Sequence, residues 1–286
     1  MSGHLDLRLT RRRRTNVVMF ALTAAAAAVS LLTLFLILGY IAWKGLSSLS
    51  WDFLTQLPKP VGEEGGGIAN AIVGSGKIVG LACLLGVPVG VLGAVYLAEF
   101  GKGRTGFFIR YAADVLNGIP SIVMGIFAYT LVVLPMRHFS ALAGSVALAV
   151  ILIPIVLRNT EEFLRLVPHH LREAALALGV PPWKVIVRVV LPTASRGILT
   201  GVLLAASRIA GETAPLLFTA FGNRFWDSGY LHPMASLPLA IFTYAISPYD
   251  DWHRQAWAAA LVLIFFVLGA NIVSRLLIRS GATAQP

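Results

Sequence analysis

Charge is scarce in this chain. Only 13% of its 286 residues are Asp, Glu, Lys or Arg, against roughly 25% in an average soluble domain. With 57% hydrophobic residues, a soluble fold of this length cannot hide its apolar surface, so a soluble enzyme or binding domain is excluded. Cysteine is nearly absent: Cys83 stands alone, which rules out an intrachain disulfide and a cysteine-built metal cluster and leaves the redox compartment undetermined. Acidic residues are also few, 13 against 23 basic ones, for a net charge of +10. The basic residues gather beside the ends of apolar runs, as topology signals do, so nucleic-acid binding is not the reading. Catalytic motifs are missing as well. His169-His170 lacks metalloprotease spacing, and Gly74-Ser75-Gly76-Lys77 fails as a phosphate loop because Ala71 and Ile78 occupy the positions of its first glycine and its magnesium-binding hydroxyl. Lys77 then reads either as a snorkelling or packing lysine or as a contact on a substrate pathway.

What is present is a series of long apolar segments. The length leaves room for about six spans of roughly 20–27 residues plus modest loops, so the expected fold class is an all-α polytopic membrane protein with six transmembrane helices. They are expected over Val17–Trp43, Ala69–Ala98, Tyr111–Pro135, Ser140–Leu157, Thr193–Phe221 and Ala256–Leu277. The first follows Arg11-Arg12-Arg13-Arg14 and is far longer than the roughly 7–15 residues of a signal-peptide core. It reads as an uncleaved anchor, with removal beside the Ala24–Ala28 run as an alternative. The organisation expected is a tail and anchor over 1–45, an extracytoplasmic loop over 46–68, a transmembrane core over 69–278 with a cytoplasmic loop at 158–192, and a cytoplasmic tail at 279–286. With the N-terminus inside, about 16 Lys and Arg fall on the cytoplasmic side and about 5 on the other, which predicts that both termini are cytoplasmic.

Four prolines lie inside apolar segments: Pro88, Pro120, Pro154 and Pro215. Each removes a backbone hydrogen bond and gives either a simple kink or a hinge whose freed carbonyl lines a pathway. Asp114 is expected in an interfacial salt bridge. The run Tyr249-Asp250-Asp251-Trp252-His253-Arg254 is expected as an interfacial loop.

Two constellations stand out. In the cytoplasmic loop, Pro168 can open a helix in which Leu171, Ala174, Ala175 and Leu178 recur at i, i+3, i+4 and i+7. That face is expected to pack down, leaving Arg172 and Glu173 for a partner. Gly179 and Pro181-Pro182 then close one helix and open the next. The second constellation centres on Arg208, about twelve residues past Arg196 and so roughly 18 Å into the membrane. An arginine there costs about 2.5–3.5 kcal/mol on insertion scales. Glu212 follows at i+4, so the two are expected to pair on one helix face. The pair reads either as a packing lock or as a site for a tetrahedral oxyanion, which a guanidinium fork suits. Pro215 is expected to bend the same helix by freeing the Gly211 carbonyl.

These residues carry a family resemblance. Glu173-Ala174-Ala175, three residues, Gly179, nine residues, then Val189-Val190-Leu191-Pro192 resembles the EAA loop of ABC importer permeases, departing from it only at Val189. Arg208-Ile209-Ala210-Gly211-Glu212-Thr213-Ala214-Pro215-Leu216-Leu217 resembles the permeases of the phosphate importer. So do Pro88-Val89-Gly90, Asn117-Gly118-Ile119-Pro120-Ser121 and Leu237-Pro238-Leu239-Ala240-Ile241. Between the two permeases of that importer, Ala214-Pro215-Leu216-Leu217 fits the PstA-type subunit. The resemblance spans about residues 68–278. It implies a type I ABC importer permease fold in the bacterial inner membrane and inward phosphate transport by alternating access. A sister permease of PstC type, two ATPase subunits carrying ATP and magnesium, an extracytoplasmic phosphate-binding protein and surrounding lipid are the implied partners, with no cofactor on this chain. Arg172, Glu173, Ala174, Ala175 and Gly179 would couple to the ATPase, and Arg208, Glu212, Pro215 and Lys77 would line the substrate pathway. The alternatives are an importer for another oxyanion such as sulfate or molybdate, a channel or secondary transporter, and an intramembrane enzyme.

Overall fold

The computed structural model describes residues 3–60, 63, 65–226 and 229–279. The tail expected over 279–286 lies, beyond Arg279, outside them. The described residues are helical, with two isolated bridges in place of sheet. In chain order the helices are α1 (Gly3–Leu46), α2 (Trp51–Thr55), α3 (Ala69–Glu99), α4 (Arg104–Gly118), α5 (Ser121–Ala128), α6 (Leu134–Met136), α7 (Ala141–Arg165), α8 (His169–Ala177), α9 (Pro182–Val185), α10 (Leu191–Ala210), α11 (Ala214–Leu217), α12 (Leu237–Ala245) and α13 (Asp250–Arg279). Among the described residues five helices are long and apolar enough to cross a membrane, and six spans result if the bent pair Arg104–Gly118 and Ser121–Met136 counts as one.

Proline chemistry explains where the expected spans were misdrawn. The third span is not one helix: α4 and α5 meet at 104°. Pro120 has no N–H, and its ring drives Ile119 to an extended conformation (φ −73°, ψ 134°), so α4 stops there. Pro192 does the opposite of what its position suggests. One helical rod runs from Pro182 to Ala210 straight through it, because a π-turn over Ile186–Val190 precedes Leu191-Pro192. The same device, a π-turn over Tyr129–Val133, precedes Leu134-Pro135. In both places the wider turn comes just before the residue that cannot donate. The fourth span runs on to Arg165, capped at its start by the Ser140 hydroxyl, which accepts from the Ala143 N–H. The run from Asp250 to Arg254 is the first turn of α13 rather than a loop. Its two carboxylates complement the helix N-terminus, and Trp252 is buried against Tyr244.

The core forms where α3 lies along α7. Gly86 and Gly90 let the backbones close: a Cβ on Gly90 would sit 2.9 Å from Val156 Cβ. Around this contact Ile78, Leu148, Leu152, Val156 and Ile209 are fully or almost fully buried. Helix α1 stands at the edge, touching α13 through Gly45 and Tyr40, both against Trp257. Helices α5 and α11 meet at Gly125, whose added Cβ would lie 2.6 Å from Pro215 Cα. Gly125→Val is therefore expected to destabilise the protein by about 1–3 kcal/mol through overpacking, read as a lowered Tm of the purified complex. An unchanged Tm would mean that α11 is free to move away.

Candidate functional site

Two places in this frame gather polar side chains with no obvious packing role. The first is a cavity of about 210 Å³ lined by Asn117, Pro120, Ser121, Ile151, Ile155, Arg208 and Glu212 among others. Ile151 and Ile155 fix its depth, since each lies roughly 15–21 Å from either end of α7. An arginine at that level is out of reach of both surfaces.

The local backbone around Arg208 departs from expectation. α10 ends at Ala210 with Gly211 as its cap, whose N–H donates to the Arg208 and Ile209 carbonyls. Glu212 thus lies in a break between two helices and not one turn above Arg208 on a continuous face. No ion pair joins the two among the described residues. Both still border one cavity. Pro215 likewise does not bend a helix from inside. It occupies the first turn of α11, where a missing N–H costs nothing and a fixed φ helps. The break itself belongs to Gly211, Glu212 and Thr213. Lys77 is elsewhere: it is half-buried on α3, about 12 Å from the Ala69 end, and does not border this cavity.

The sequence reading passed over Asn117 and Ser121 as site residues. The break at Pro120 places both on the cavity, with Asn117 exposed and Ser121 half-buried. An available signal was an Asn and a Ser flanking a proline inside an apolar span, where polar groups are expensive unless they face water or protein.

The second place is the end of the bundle where α3 stops and α8 begins. Gly179 closes α8 in a left-handed conformation, φ +77°, with its N–H on the Leu176 carbonyl and the Val180 N–H on the Ala175 carbonyl. That is a Schellman closure, which an L-residue fits only with strain. Leu171 and Ala175 pack inward as expected against Leu164, Val167 and Val185. Ala174 and Leu178 do not; Leu178 is 84% exposed. Arg172 also reverses the expectation that it faces a partner. Its guanidinium turns inward, 3.0 Å from the Glu99 carboxylate at the end of α3, and donates to the Leu164 and Val167 carbonyls at the end of α7. Two helix C-termini and one carboxylate draw the cation in. Glu173, Ala174, Leu176, Leu178 and Trp183 remain as an exposed surface.

Beside it, Glu161 is 2% exposed and meets three arginines: Arg110 at 2.7 Å, Arg165 at 2.6 Å and Arg158 at 3.3 Å. Arg110 also donates to the Leu97 and Gly101 carbonyls, so α3, α4 and α7 are tied at one end. Asp114 takes the other edge of Arg158 at 2.9 Å, the expected salt bridge. Glu161 had a visible signature, arginines at i−3 and i+4, but its partner Arg110 is 51 residues away.

Comparison with known proteins places these features in a group. Residues 86–280 match the family described as binding-protein-dependent transport system inner membrane component. The chain is 45% identical over 267 residues to the phosphate transport system permease protein PstA of Yersinia pestis, covering 93% of this chain and 90% of that one. It is 46% identical over 277 residues to the PstA of Haemophilus influenzae, covering 96% and 98%. To PstA 1 of Mycobacterium tuberculosis it is 38% identical over 283 residues. In fold it is similar to an inward-facing MetNI methionine ABC transporter chain, with a TM-score of 0.60 at 17% identity, over 74% of this chain and 93% of that one.

Proposed function

The chain belongs to the family of binding-protein-dependent transport system inner membrane components, and on that premise we propose that it is the permease subunit of an ATP-driven importer of inorganic phosphate. It has the type I ABC importer permease fold, is a multi-pass inner-membrane protein, and is a transport subunit rather than an enzyme. Relatives named as phosphate permeases match it at about 45% identity over nearly its whole length, which supports the substrate. The observation that carries the mechanism is Arg208, an exposed arginine that lines a cavity halfway along the bundle together with Glu212, Asn117 and Ser121.

Arg208 supplies the fixed positive charge and a planar fork of donors to the anion. Asn117 and Ser121 add neutral donors and acceptors. Glu212 accepts the proton that phosphate carries and sulfate lacks, and its charge keeps the anion from being trapped. Lys77, nearer the Ala69 end, adds positive potential on the way in. The break at Gly211–Thr213, clasped through Pro215 by α5, is where the two halves of the pathway shift against each other.

Both termini lie in the cytoplasm, and the α8 end faces inward, where two ATPase subunits hold ATP and magnesium. Glu173, Ala174 and the exposed leucines dock into the ATPase, Gly179 shapes the turn, and Ala175 seats the helix. Arg172 acts as the tie that carries α8 motion to α3 through Glu99. A PstC-type sister permease completes the pathway, and an extracytoplasmic binding protein delivers phosphate to the far end.

The test is uptake by the four-component importer in proteoliposomes. Labelled phosphate enters only with ATP, and equimolar sulfate does not compete; sulfate entering as fast as phosphate would replace the substrate. Arg172→Ala is expected to cut phosphate moved per ATP hydrolysed by about tenfold, equivalent to about 1.4 kcal/mol of coupling, while the ATPase still co-purifies. Loss of co-purification would instead make Arg172 part of the docking surface.

A further inference from the structure

At the end of the bundle opposite α8 lies a second cavity, also about 210 Å³, between the start of α3, the loop around Phe221–Arg224 and α12. Asn70 and Glu99 stand roughly 44 Å apart along α3, so the orientation proposed above places this cavity on the outer side. Four independent observations converge on it.

The first concerns Ser236. It holds the N-cap position of α12, where a serine hydroxyl ordinarily accepts from the helix. Ser75 of α3 has taken that role, its Oγ accepting from the Leu237 N–H at 2.7 Å. Among the described residues the Ser236 hydroxyl, 1% exposed, has no hydrogen-bond partner in the cavity wall. Asn70 is the second. Its Nδ2 donates to the Asn223 carbonyl at 2.7 Å, which fixes the orientation of the amide. The opposite oxygen, Oδ1, is buried with no donor among the described residues. An unsatisfied buried polar atom costs about 1–3 kcal/mol, so two in one wall favour a polar occupant.

The third is backbone strain. Phe221 sits at φ +61°, left-handed and costly for an aromatic residue, followed by Gly222 at φ +87°. This pair of turns brings Asn223 and Arg224 onto the cavity. The fourth is charge. Arg224 is exposed, rests over the Trp252 ring at 5.2 Å and borders the same space. Burial pushes the neighbouring Tyr244 phenol up and Arg224 draws it back down, so the phenol is a neutral donor at the same wall.

We propose that this cavity is a receiving site for a protonated tetrahedral oxyanion, hydrogenphosphate or dihydrogenphosphate, held there before it passes inward to Arg208. Arg224 provides the charge, Ser236 and Tyr244 donate to P–O oxygens, and the Asn70 Oδ1 accepts from P–OH. Sulfate carries no proton near neutrality and would press an anionic oxygen against that acceptor. A lipid phosphodiester has none either, so headgroup phosphate does not fit. The ligand identity rests on the phosphate reading above; the existence of a second site does not.

The experiment uses the assembled importer in nanodiscs, without the binding protein and with Arg208→Gln to remove the central site. Labelled inorganic phosphate should still bind, displaced by unlabelled phosphate but not by equal sulfate or dimethyl phosphate. Adding Ser236→Ala or Arg224→Gln should weaken that binding by about tenfold or more, and Arg224→Lys should restore most of it. Affinity indifferent to Ser236 and Arg224 would overturn the site. Equal displacement by sulfate would overturn the role of Asn70, and displacement by dimethyl phosphate would turn the site over to lipid. If the wild-type importer moves sulfate as well as phosphate, the substrate reading fails separately, whatever binds in the outer cavity.

Discussion

Arg208→Gln is expected to bring phosphate uptake by the reconstituted importer to background, a loss of about 100-fold or more, with the complex still assembled. The magnitude follows from what glutamine removes. It leaves a neutral side chain where an anion must shed water at a depth no surface charge can reach, and truncating one partner of a buried charge-assisted contact costs about 2–5 kcal/mol. Arg208 has no ion pair among the described residues and is exposed, so its removal does not strand a carboxylate or empty a core. Arg208→Lys should recover part of the rate, since the charge stays and the planar fork goes. Loss of assembly in the glutamine variant would give Arg208 to the contact with the sister permease. Normal uptake would remove the central cavity from the mechanism.

Glu161→Ala is expected to be the most destabilising single change among the charged residues, by about 3–5 kcal/mol. Its carboxylate is the shared acceptor for three guanidiniums. Removing it leaves Arg110 and Arg158 crowded at the junction of α3, α4 and α7 with like charges facing one another. The effect should appear as a much lower Tm and lower yield of the intact complex. Asp114→Asn is the internal comparison. Asp114 is 53% exposed and its ion pair among the described residues is with Arg158, so about 1 kcal/mol or less is expected. Equal effects from the two variants would mean that burial does not govern this network.

The parts of the fold that were legible in the sequence are those fixed by local chemistry. Gly179 between a helix former run and Pro181-Pro182 predicts a closed helix and a restart, and the left-handed turn is there. Asp114 found its interfacial arginine. Contacts along the spans were harder to read for a reason of solvent. In a soluble helix the apolar face is the buried face; in a membrane helix both lipid and protein faces are apolar, so periodicity stops reporting contact. Arg172 illustrates the same limit at the surface. Its spacing marks it as polar and outward, but the carboxylate that turns it inward is Glu99, 73 residues earlier.

Prolines divide in the same way. Pro120 and Pro215 both signalled a disruption, and the fifth span was expected to begin only after Pro192. Whether the chain bends, breaks or continues depends on what the freed backbone groups meet. A π-turn absorbs Pro192, a 104° corner follows from Pro120, and Pro215 opens a new helix after Gly211 has already ended the old one. By itself, the sequence determined the apolar solvent, the apolar segments long enough to cross it and the helix–turn–helix motif around Gly179, because hydrophobic length and Gly/Pro stereochemistry act over a few residues. Only the tertiary structure decided that Arg208 and Glu212 border one cavity with Asn117 and Ser121, that Glu161 gathers three arginines, and that Ser236 and Asn70 keep buried polar atoms with no partner among the described residues at the end of the bundle opposite α8. Each of those depends on which helix lies alongside, and that is settled by close approach at glycines such as Gly90 and Gly125 and not by any run of neighbours in the chain.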